Sequence, residues 1–527
     1  MGWSGWQLPQ KPDDGSKKLE DRLWVAADLL RANSKLLPSE YSNPVLGLIF
    51  LKFADHRFKE ATTHLESRSV SNRRSIGESD YHSLGVMYLP KGVKWDDLLS
   101  LPEGANLGNE ISNAMGIIED YNEDLKGVLP RNYSSIENKT LVELMRLFDN
   151  IPFEIERDLF GRIFEYFLGN FAMAEGQGGG MFYTPASVVK LMVEILEPHQ
   201  GTILDPACGS GGMFVQSARF IDNHNRSSND ISVYGMEAIG QTANLAKMNL
   251  AVHQMSGQIK VANSYYEDPF ESPGKFDFVM ANPPFNVDKI DKDRIKSNTA
   301  RYPLGMPKAD NGNFIWVQMF YSALNEKGKA GFVMPPAASD ARHSEQYIRR
   351  ELIESRVVDV MVSLGTNLFY TVTMASTLWF IDKSKKATQR ADKVLFIDAR
   401  QIWRKIDRAH RDFSDKQIEF ISNIVRMYRG LNIISEHGSD EVLQDIFGGD
   451  KYNDVKGLCK IATITEIEEQ NWSLSPSRYV GSSQIVEMDL EFSEKLKQMN
   501  EKLKSLDTES EKLTKTIARN ISSMLGD

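Results

Sequence analysis

The α/β signature of the chain is Thr202-Ile203-Leu204-Asp205-Pro206-Ala207-Cys208-Gly209-Ser210-Gly211-Gly212: an apolar strand runs into a glycine-rich turn, and a helix pattern begins near Met213. Such a turn lets the backbone approach a ligand closely and aims N–H groups at a negative group. It is not a phosphate loop, because no Gly-Lys-Ser/Thr follows, and Phe214 stands where a dinucleotide fingerprint needs its third glycine. An ordinary tight turn is the alternative interpretation.

Strand and helix patterns alternate around this turn, from about residue 180 to residue 400. Helix patterns at 187–196 and 242–250 separate several apolar strand patterns, which lie at 202–204, 233–236, 276–281, 330–334, 357–362, 376–380 and 394–397. This alternation predicts an α/β fold with a mostly parallel, doubly wound sheet. Ligands of such sheets bind beyond the carboxyl ends of the strands, so we expect the functional residues there.

Two carboxylates stand at predicted strand ends, Asp205 after the first strand and Glu237 after the second. The Asp205 carboxylate suits an ammonium group, and with the glycine-rich turn it fits a zwitterionic amino-acid moiety such as that of S-adenosylmethionine. Glu237 is placed to accept hydrogen bonds from ribose hydroxyls. Candidates for an adenine pocket, none of them preferred, follow the third strand: Asn263, Ser264 and Asp268.

A glycine–aromatic segment, Gly178-Gly179-Gly180-Met181-Phe182-Tyr183-Thr184-Pro185, precedes the helix pattern that begins at Ser187. Its glycines give the backbone freedom, its aromatic rings suit the covering of a cofactor, and Thr-Pro is typical of a helix start. An ordinary loop is the alternative. The predicted cofactor-binding residues are Gly180, Met181, Phe182, Tyr183, Thr184, Pro185, Asp205, Ala207, Gly209, Ser210, Gly211, Gly212 and Glu237.

The tetrad Asn282-Pro283-Pro284-Phe285 follows the strand pattern 276–281. Because proline has no N–H, the tetrad offers carbonyl and amide oxygens as acceptors, with an aromatic ring beside them. This combination favours an exocyclic amino group on a flat heterocycle, whose lone pair two N–H···O bonds would turn toward an electrophile. A proline-rich turn is the alternative. The predicted catalytic residues are Asn282, Pro283, Pro284 and Phe285.

The composition is that of an acidic globular protein. The chain has 527 residues and a net charge of −10, with no apolar stretch of transmembrane length and no signal-peptide pattern. The two cysteines, Cys208 and Cys459, support neither a disulfide framework nor a zinc site, so we expect a cytoplasmic protein without a metal. If the substrate is nucleic acid, this charge implies that a partner supplies most phosphate contacts; ordinary acidic solubility is the alternative.

Three regions differ in their patterns. Residues 1–150 carry helix patterns, with a polar, fraying start up to about residue 20 and a loop between Pro38 and Pro44. Residues 151–480 contain the α/β domain. Residues 481–527 form a coiled-coil-like helical tail, or else a lone surface helix. The heptad positions of the tail hold Leu496, Met499, Leu503, Leu506, Leu513, Ile517 and Met524.

The motifs occur in a fixed order: aromatic-Thr-Pro, the glycine-rich turn, the strand-end Glu, then Asn-Pro-Pro-Phe. With Leu48-Ile49-Phe50-Leu51-Lys52 and Asn313-Phe314-Ile315-Trp316, the chain resembles the modification (methyltransferase) subunits of type I restriction–modification systems over nearly its whole length. It departs at Met181, where that family often has Gln. The resemblance implies a Rossmann-like class I methyltransferase domain that uses S-adenosylmethionine to methylate N6 of adenine, flipped out of duplex DNA.

The resemblance also implies partners. A separate specificity subunit reads the DNA sequence, two modification subunits join one specificity subunit, and a restriction-translocase subunit is an optional addition. The helical tail is the candidate for docking on the specificity subunit, and Phe369 or Tyr370 is a candidate second aromatic against the base. The open alternatives are an N4-cytosine methyltransferase, a methyltransferase for RNA or protein glutamine, and a catalytically inactive cofactor-binding assembly scaffold.

Overall fold

The computed structural model describes residues 3, 5–9, 18–34, 36–68, 76–102, 104–151, 159–175, 184–223, 230–369, 374–407 and 410–481. None of the helices in those ranges has both the length and the apolar composition needed to cross a lipid bilayer. Residues 176–183, which include Gly180 to Tyr183, lie outside the described ranges, as does the predicted helical tail from residue 482 onward.

The helices fall into an N-terminal layer and a set that covers the sheet. In chain order they are α1 (Lys18–Ser34), α2 (Pro38–Arg68), α3 (Glu78–Ser83), α4 (Trp95–Leu99), α5 (Leu107–Tyr121), α6 (Asn138–Asp149), α7 (Leu159–Glu175), α8 (Ala186–Leu196), α9 (Gly212–Asn223), α10 (Gly240–Val252), α11 (Lys292–Ile295), α12 (Asn313–Ala323), α13 (Pro336–Ser339), α14 (Ser344–Glu354), α15 (Asp415–Arg429), α16 (Asp440–Phe447), α17 (Ile464–Glu469) and α18 (Ser477–Val480).

One hydrophobic core joins the N-terminal helices, from Leu23 of α1 to Phe171 of α7. The helical layer therefore continues past residue 150. The predicted loop between Pro38 and Pro44 is wrong, since α2 begins at Pro38 and contains Pro44. A proline at the first helical position loses no intrahelical hydrogen bond, and Pro44 lies in the second turn, where only one such bond is lost.

The strands form two sheets. In chain order they are β1 (Trp6–Leu8), β2 (Gly201–Asp205), β3 (Ile231–Glu237), β4 (Gly257–Val261), β5 (Phe276–Ala281), β6 (Leu324–Met334), β7 (Val358–Leu364), β8 (Ser376–Asp382), β9 (Lys393–Ala399), β10 (Ile402–Lys405), β11 (Arg411–Asp412) and β12 (Cys459–Thr463). The large sheet has the order β12-β9-β7-β8-β6-β5-β2-β3-β4, and β1, β10 and β11 form the small one.

The large sheet confirms the doubly wound α/β prediction. Five adjacent strands, from the edge strand β4 through β3, β2 and β5 to β6, are parallel. Strand β8 runs antiparallel to both of its neighbours, and β12 runs antiparallel to β9. One face is covered by α8, α9, α10 and α15, and the other by α12 and α14. The chain order reverses between β2 and β5, which makes this gap the topological switch point where ligands of open α/β sheets bind.

The start of the chain is tied to the α/β domain. Strand β1 pairs in parallel with β10, and the Trp3 ring stacks on Phe420 with centroids 5.7 Å apart. The side chain of Gln417 also donates a hydrogen bond to the carbonyl of Trp6, at 2.8 Å. The expectation of a fraying start is therefore wrong for β1, because ring stacking and ladder hydrogen bonds hold it in place.

Close packing at Gly235 of β3 supports the glycine-rich turn. A Cβ atom at this position would lie 2.6 Å from Ile259 Cδ1 and 2.8 Å from Cys208 Sγ, and Cys208 belongs to the turn. We expect Gly235→Ala to lower the free energy of unfolding by about 1–3 kcal/mol, because the buried neighbours must move. Urea denaturation measures this change in the free energy of unfolding. Gly240→Ala, at a position with open space around it, is the control, and equal stability of both variants would contradict the packing argument.

Candidate active site

Asp205 ends β2 at the switch point and is 1% exposed. Its Oδ1 accepts a hydrogen bond from the N–H of Ala207, at 3.0 Å. Burial raises the pKa of the Asp205 carboxyl to about 8, and the negative charge of Glu237 adds to the rise, while the Ala207 N–H opposes it. The protein therefore holds a buried carboxyl group that gains stability from a cationic partner.

Glu237 ends β3, the parallel neighbour of β2, so its carboxylate and that of Asp205 share one edge of the sheet. Glu237 Oε2 accepts a hydrogen bond from the N–H of Gly209, at 3.1 Å, and Oε1 accepts one from the N–H of Ile239, at 2.9 Å. These two bonds fix the carboxylate. Each oxygen keeps a further lone pair with which it can accept a hydrogen bond from a hydroxyl group.

The glycine-rich turn depends on its glycines, since Gly209 and Gly211 have φ values of 53° and 83°. Cys208 is buried against the sheet, and burial raises the pKa of its thiol, so this side chain is a packing group. Two buried side chains hold carbonyls of the turn. Ser264 Oγ donates to the carbonyl of Pro206, at 2.5 Å, and Asn249 Nδ2 donates to the carbonyl of Ser210, at 2.9 Å.

The candidates for an adenine pocket are engaged in the protein's own structure. The hydroxyl of Ser264 supports the turn through its bond to the Pro206 carbonyl. Asp268 accepts hydrogen bonds from the N–H and hydroxyl of Ser272, both at 2.9 Å, and faces the buried Arg301 at 3.5 Å. Asn263 accepts a bond from the N–H of Tyr265. These contacts engage the Ser264 hydroxyl and Asp268 Oδ2, whereas Asp268 Oδ1 is buried and accepts no hydrogen bond from the residues that the structure describes.

The tetrad follows β5, which lies next to β2 on the other side of the switch point. Asn282 Nδ2 donates a hydrogen bond to Thr184 Oγ1, at 2.9 Å, and thereby joins the tetrad to a residue two positions before α8. This bond fixes the orientation of the amide group, whose oxygen is its acceptor atom. The structure thus brings together two sequence motifs that are 98 residues apart.

A reciprocal pair of asparagines fixes the chain that leaves the tetrad. The N–H of Asn286 donates to Asn313 Oδ1, at 2.9 Å, and Asn313 Nδ2 donates to Asn286 Oδ1, at 2.8 Å. Asn286 adopts a left-handed conformation with φ of 55°, which Asn tolerates better than most residues. Asn313 is 5% exposed at the start of α12. The motif Asn313-Phe314-Ile315-Trp316 gives no sign of these bonds in the sequence, because the two asparagines are 27 residues apart.

The aromatic candidates differ in their surroundings. Phe285 is partly buried and packs against the sheet core. Phe369 is 6% exposed and packs within that same core, so its ring faces other side chains of the protein. Tyr370 lies outside the described residues.

Two family models and several curated proteins match the chain. The N-6 DNA Methylase family model matches residues 155–488, and the HsdM N-terminal domain model matches residues 19–148. The chain is 37% identical over 521 residues to the type I restriction enzyme MjaIX methylase subunit of Methanocaldococcus jannaschii, covering 94% of this chain and 89% of that protein. It is 33% identical to the HindI methylase subunit of Haemophilus influenzae, covering 82% of this chain and 99% of that one.

A solved structure shares the fold. The type I restriction-modification methyltransferase subunit from Streptococcus thermophilus superposes with a TM-score of 0.72, over 88% of this chain and 100% of that one, at 22% sequence identity. The match of both family models and the identity to full-length relatives lead to one conclusion. The chain belongs to the N-6 DNA methylase family, among the methylase subunits of type I restriction enzymes.

Proposed function

We propose that this chain transfers a methyl group from S-adenosylmethionine to N6 of adenine in duplex DNA. The observation that carries the proposal is the arrangement of two groups at the switch point, on the same edge of the sheet. One is the buried carboxyl of Asp205, and the other is the side-chain amide of Asn282, which a hydrogen bond to Thr184 holds in place. Methyl transfer requires that the methyl donor and the acceptor be held side by side. The carboxyl suits a cationic methyl donor, and the amide oxygen suits the amino group that accepts the methyl.

The residues at the switch point suit the functional groups of S-adenosylmethionine. The buried carboxyl of Asp205, with its raised pKa, suits the ammonium group of the methionine moiety. The fixed carboxylate of Glu237 suits ribose hydroxyls, and the turn from Ala207 to Gly212 brings backbone close to the ligand. Gly180, Met181, Phe182 and Tyr183 are proposed as its cover, with Pro185 at the start of the following helix. When bound, S-adenosylmethionine supplies an electrophilic methyl group on a sulfonium centre.

The tetrad residues act on the base. Extrusion of adenine from the duplex costs a few kcal/mol, and stacking on Phe285 returns about 1–3 kcal/mol. The Asn282 amide oxygen and the Pro283 carbonyl accept hydrogen bonds from the amino group, and Pro284 keeps the turn free of a competing N–H donor. These bonds turn the nitrogen lone pair out of conjugation with the ring. No covalent enzyme intermediate is needed, which agrees with the buried packing role of Cys208.

The proposed assembly contains two copies of this chain and one specificity subunit that reads the DNA, with an optional restriction-translocase subunit. The net charge of −10 supports this division, because phosphate contacts require basic surface. We propose that residues 481–527 dock on the specificity subunit. The test is transfer of labelled methyl to duplex DNA by this chain alone and by the chain with its specificity subunit. Labelling only with the partner supports the proposal, whereas labelling by the chain alone refutes the assigned division of roles.

The bond between Thr184 and Asn282 gives a prediction about rate. Thr184→Val keeps the shape of the side chain but removes the acceptor of the Asn282 amide, so the amide can rotate away from the base. We expect kcat to fall about tenfold through misorientation of the acceptor. Steady-state kinetics at saturating cofactor and DNA measure this. Thr184→Ser, which keeps the hydroxyl, is the control, and a Val variant as fast as the Ser variant would contradict the role.

A further inference from the structure

A fully buried asparagine connects α10 to the glycine-rich turn. Asn249 is 0% exposed, and its Nδ2 donates a hydrogen bond to the carbonyl of Ser210, at 2.9 Å. Its Oδ1 is also buried, and among the residues that the structure describes none donates a hydrogen bond to that oxygen. A buried amide oxygen without a donor destabilises the folded protein, so packing alone would favour an apolar side chain of the same shape.

The hydrogen bond from Asn249 completes the fixation of one peptide group. The N–H of Gly211 donates to the carbonyl of Cys208, at 2.8 Å, while the carbonyl of Ser210 accepts from Asn249. These two groups belong to the same planar peptide unit, so its orientation is fixed at both ends. Gly211, with φ of 83°, also lies close enough to α10 that an added Cβ would be 3.6 Å from Ala246 Cβ.

Helix α10 is itself firmly held. Its Leu245, Met248 and Val252 belong to the core of the N-terminal helices, while Ala243, Ala246 and Leu250 pack under the sheet. A side chain on this helix can therefore hold the turn against a rigid support. The unpaired amide oxygen of Asn249 lowers the stability of the protein, yet the side chain holds the turn from a rigid helix. These two observations together point to a role in ligand binding.

We propose that Asn249 is a positioning residue for the cofactor. It holds the Ser210–Gly211 peptide in the orientation that the glycine-rich turn presents to S-adenosylmethionine, and it does not itself touch the reacting atoms. This inference rests on the proposed function, since it assumes that the turn binds this cofactor. It predicts that Asn249 contributes to cofactor affinity while contributing little to the stability of the unliganded protein.

The test replaces Asn249 with leucine, which matches its shape and lacks its donor. The dissociation constant for S-adenosylmethionine is measured by calorimetry on the full chain, and kcat and KM are measured in the complex with the specificity subunit. We expect Asn249→Leu to raise both the dissociation constant and KM for the cofactor about tenfold, through loss of the fixed turn. With saturating cofactor, kcat should stay within about threefold of the parental value. The unfolding temperature without ligand should stay close to the parental value, because removal of the unpaired Oδ1 offsets the loss of the bond to the Ser210 carbonyl.

The control is Asn423→Leu. Asn423 is also fully buried, but its amide bonds to Ile434 and Ser439, far along the chain from the turn. This variant should lose thermal stability and keep the parental affinity for cofactor. The inference would be overturned if Asn249→Leu bound S-adenosylmethionine with the parental affinity. It would also be overturned if Asn249→Leu and Asn423→Leu lost the same amount of thermal stability. Failure of the parental chain to bind S-adenosylmethionine would instead refute the proposed function.

Discussion

Replacement of Asn282 by alanine abolishes methyl transfer and leaves cofactor binding nearly intact. The substitution removes the amide oxygen that accepts a hydrogen bond from the adenine amino group, so the lone pair stays in conjugation with the ring. We expect kcat to fall by about a thousandfold or more, the size of effect that follows when a key polar contact to the reacting group is removed. Cofactor affinity is retained because, within the part of the chain that the structure describes, the Asn282 side chain bonds to the Thr184 hydroxyl and to none of the groups around Asp205 and Glu237.

The measurement is single-turnover transfer of labelled methyl in the reconstituted complex, with calorimetry for cofactor binding. Asn325→Ala is a matched control, because Asn325 lies near the start of β6, beside the opposite end of β5, where its amide donates to Asp277 Oδ1 at 2.8 Å. The control should transfer methyl at close to the parental rate. Transfer by Asn282→Ala at that rate would show that the tetrad is a structural turn.

Replacement of Asp205 by asparagine should weaken cofactor binding and, at the same time, stabilise the unliganded protein. Loss of the carboxylate should weaken S-adenosylmethionine binding about a hundredfold or more, because the ammonium group loses its buried counter-charge. The unliganded variant should nevertheless be more stable than the parental chain near pH 8, by on the order of a few kcal/mol. Burial raises the pKa of Asp205 to about 8 in the folded state, whereas the unfolded carboxyl titrates near 3.8, and asparagine escapes this penalty.

The direction with pH follows from the raised pKa. Below pH 3.8 the carboxyl is protonated in both states and carries no penalty, so the two proteins should be equally stable there. The parental chain then loses stability relative to Asp205→Asn as pH rises from about 4 to about 8, and the difference is constant above that range. Denaturant titrations of the unliganded proteins at several pH values measure the difference.

Asp277→Asn is the matched control with the opposite sign. Asp277 lies near the start of β5, and although burial raises its pKa, hydrogen bonds from Thr202 and Asn325 outweigh this effect and hold the pKa below its ordinary value. Its replacement should therefore lower stability at neutral pH. A loss of stability in Asp205→Asn at pH 8, like that expected of Asp277→Asn, would show that the buried carboxyl of Asp205 does not destabilise the unliganded protein.

The fold and the position of the site could be predicted from local patterns. The apolar run at 202–204 and the turn after it predict a strand, a ligand-binding turn and a helix, and β2 and α9 lie there. Acidic and amide residues at strand ends converge because parallel neighbours β2, β3 and β5 end at the same edge. This geometry is general to doubly wound sheets, so sequence order alone was enough to place Asp205, Glu237 and Asn282 together.

The supporting contacts could not be predicted, because each joins residues far apart in sequence. Asn249 sits in a helical pattern that shows no sign of its bond to Ser210, and the pair Asn286–Asn313 spans 27 residues. Strand β1 is three residues long, too short for a periodic signal, and its partner β10 lies near residue 402. The sequence pattern at Pro44 indicated a loop because proline usually breaks helices, whereas the apolar packing of α2 outweighs one lost hydrogen bond.

The most direct test is base-resolved mapping of methyl groups on duplex DNA after reaction with S-adenosylmethionine and the chain in complex with its specificity subunit. The parental complex should place label on N6 of adenine alone, and the Asn282→Ala complex should place none. Label on N4 of cytosine would contradict the assigned substrate. Absence of label from a parental complex that binds the cofactor would show that the chain serves as an assembly scaffold instead of an enzyme.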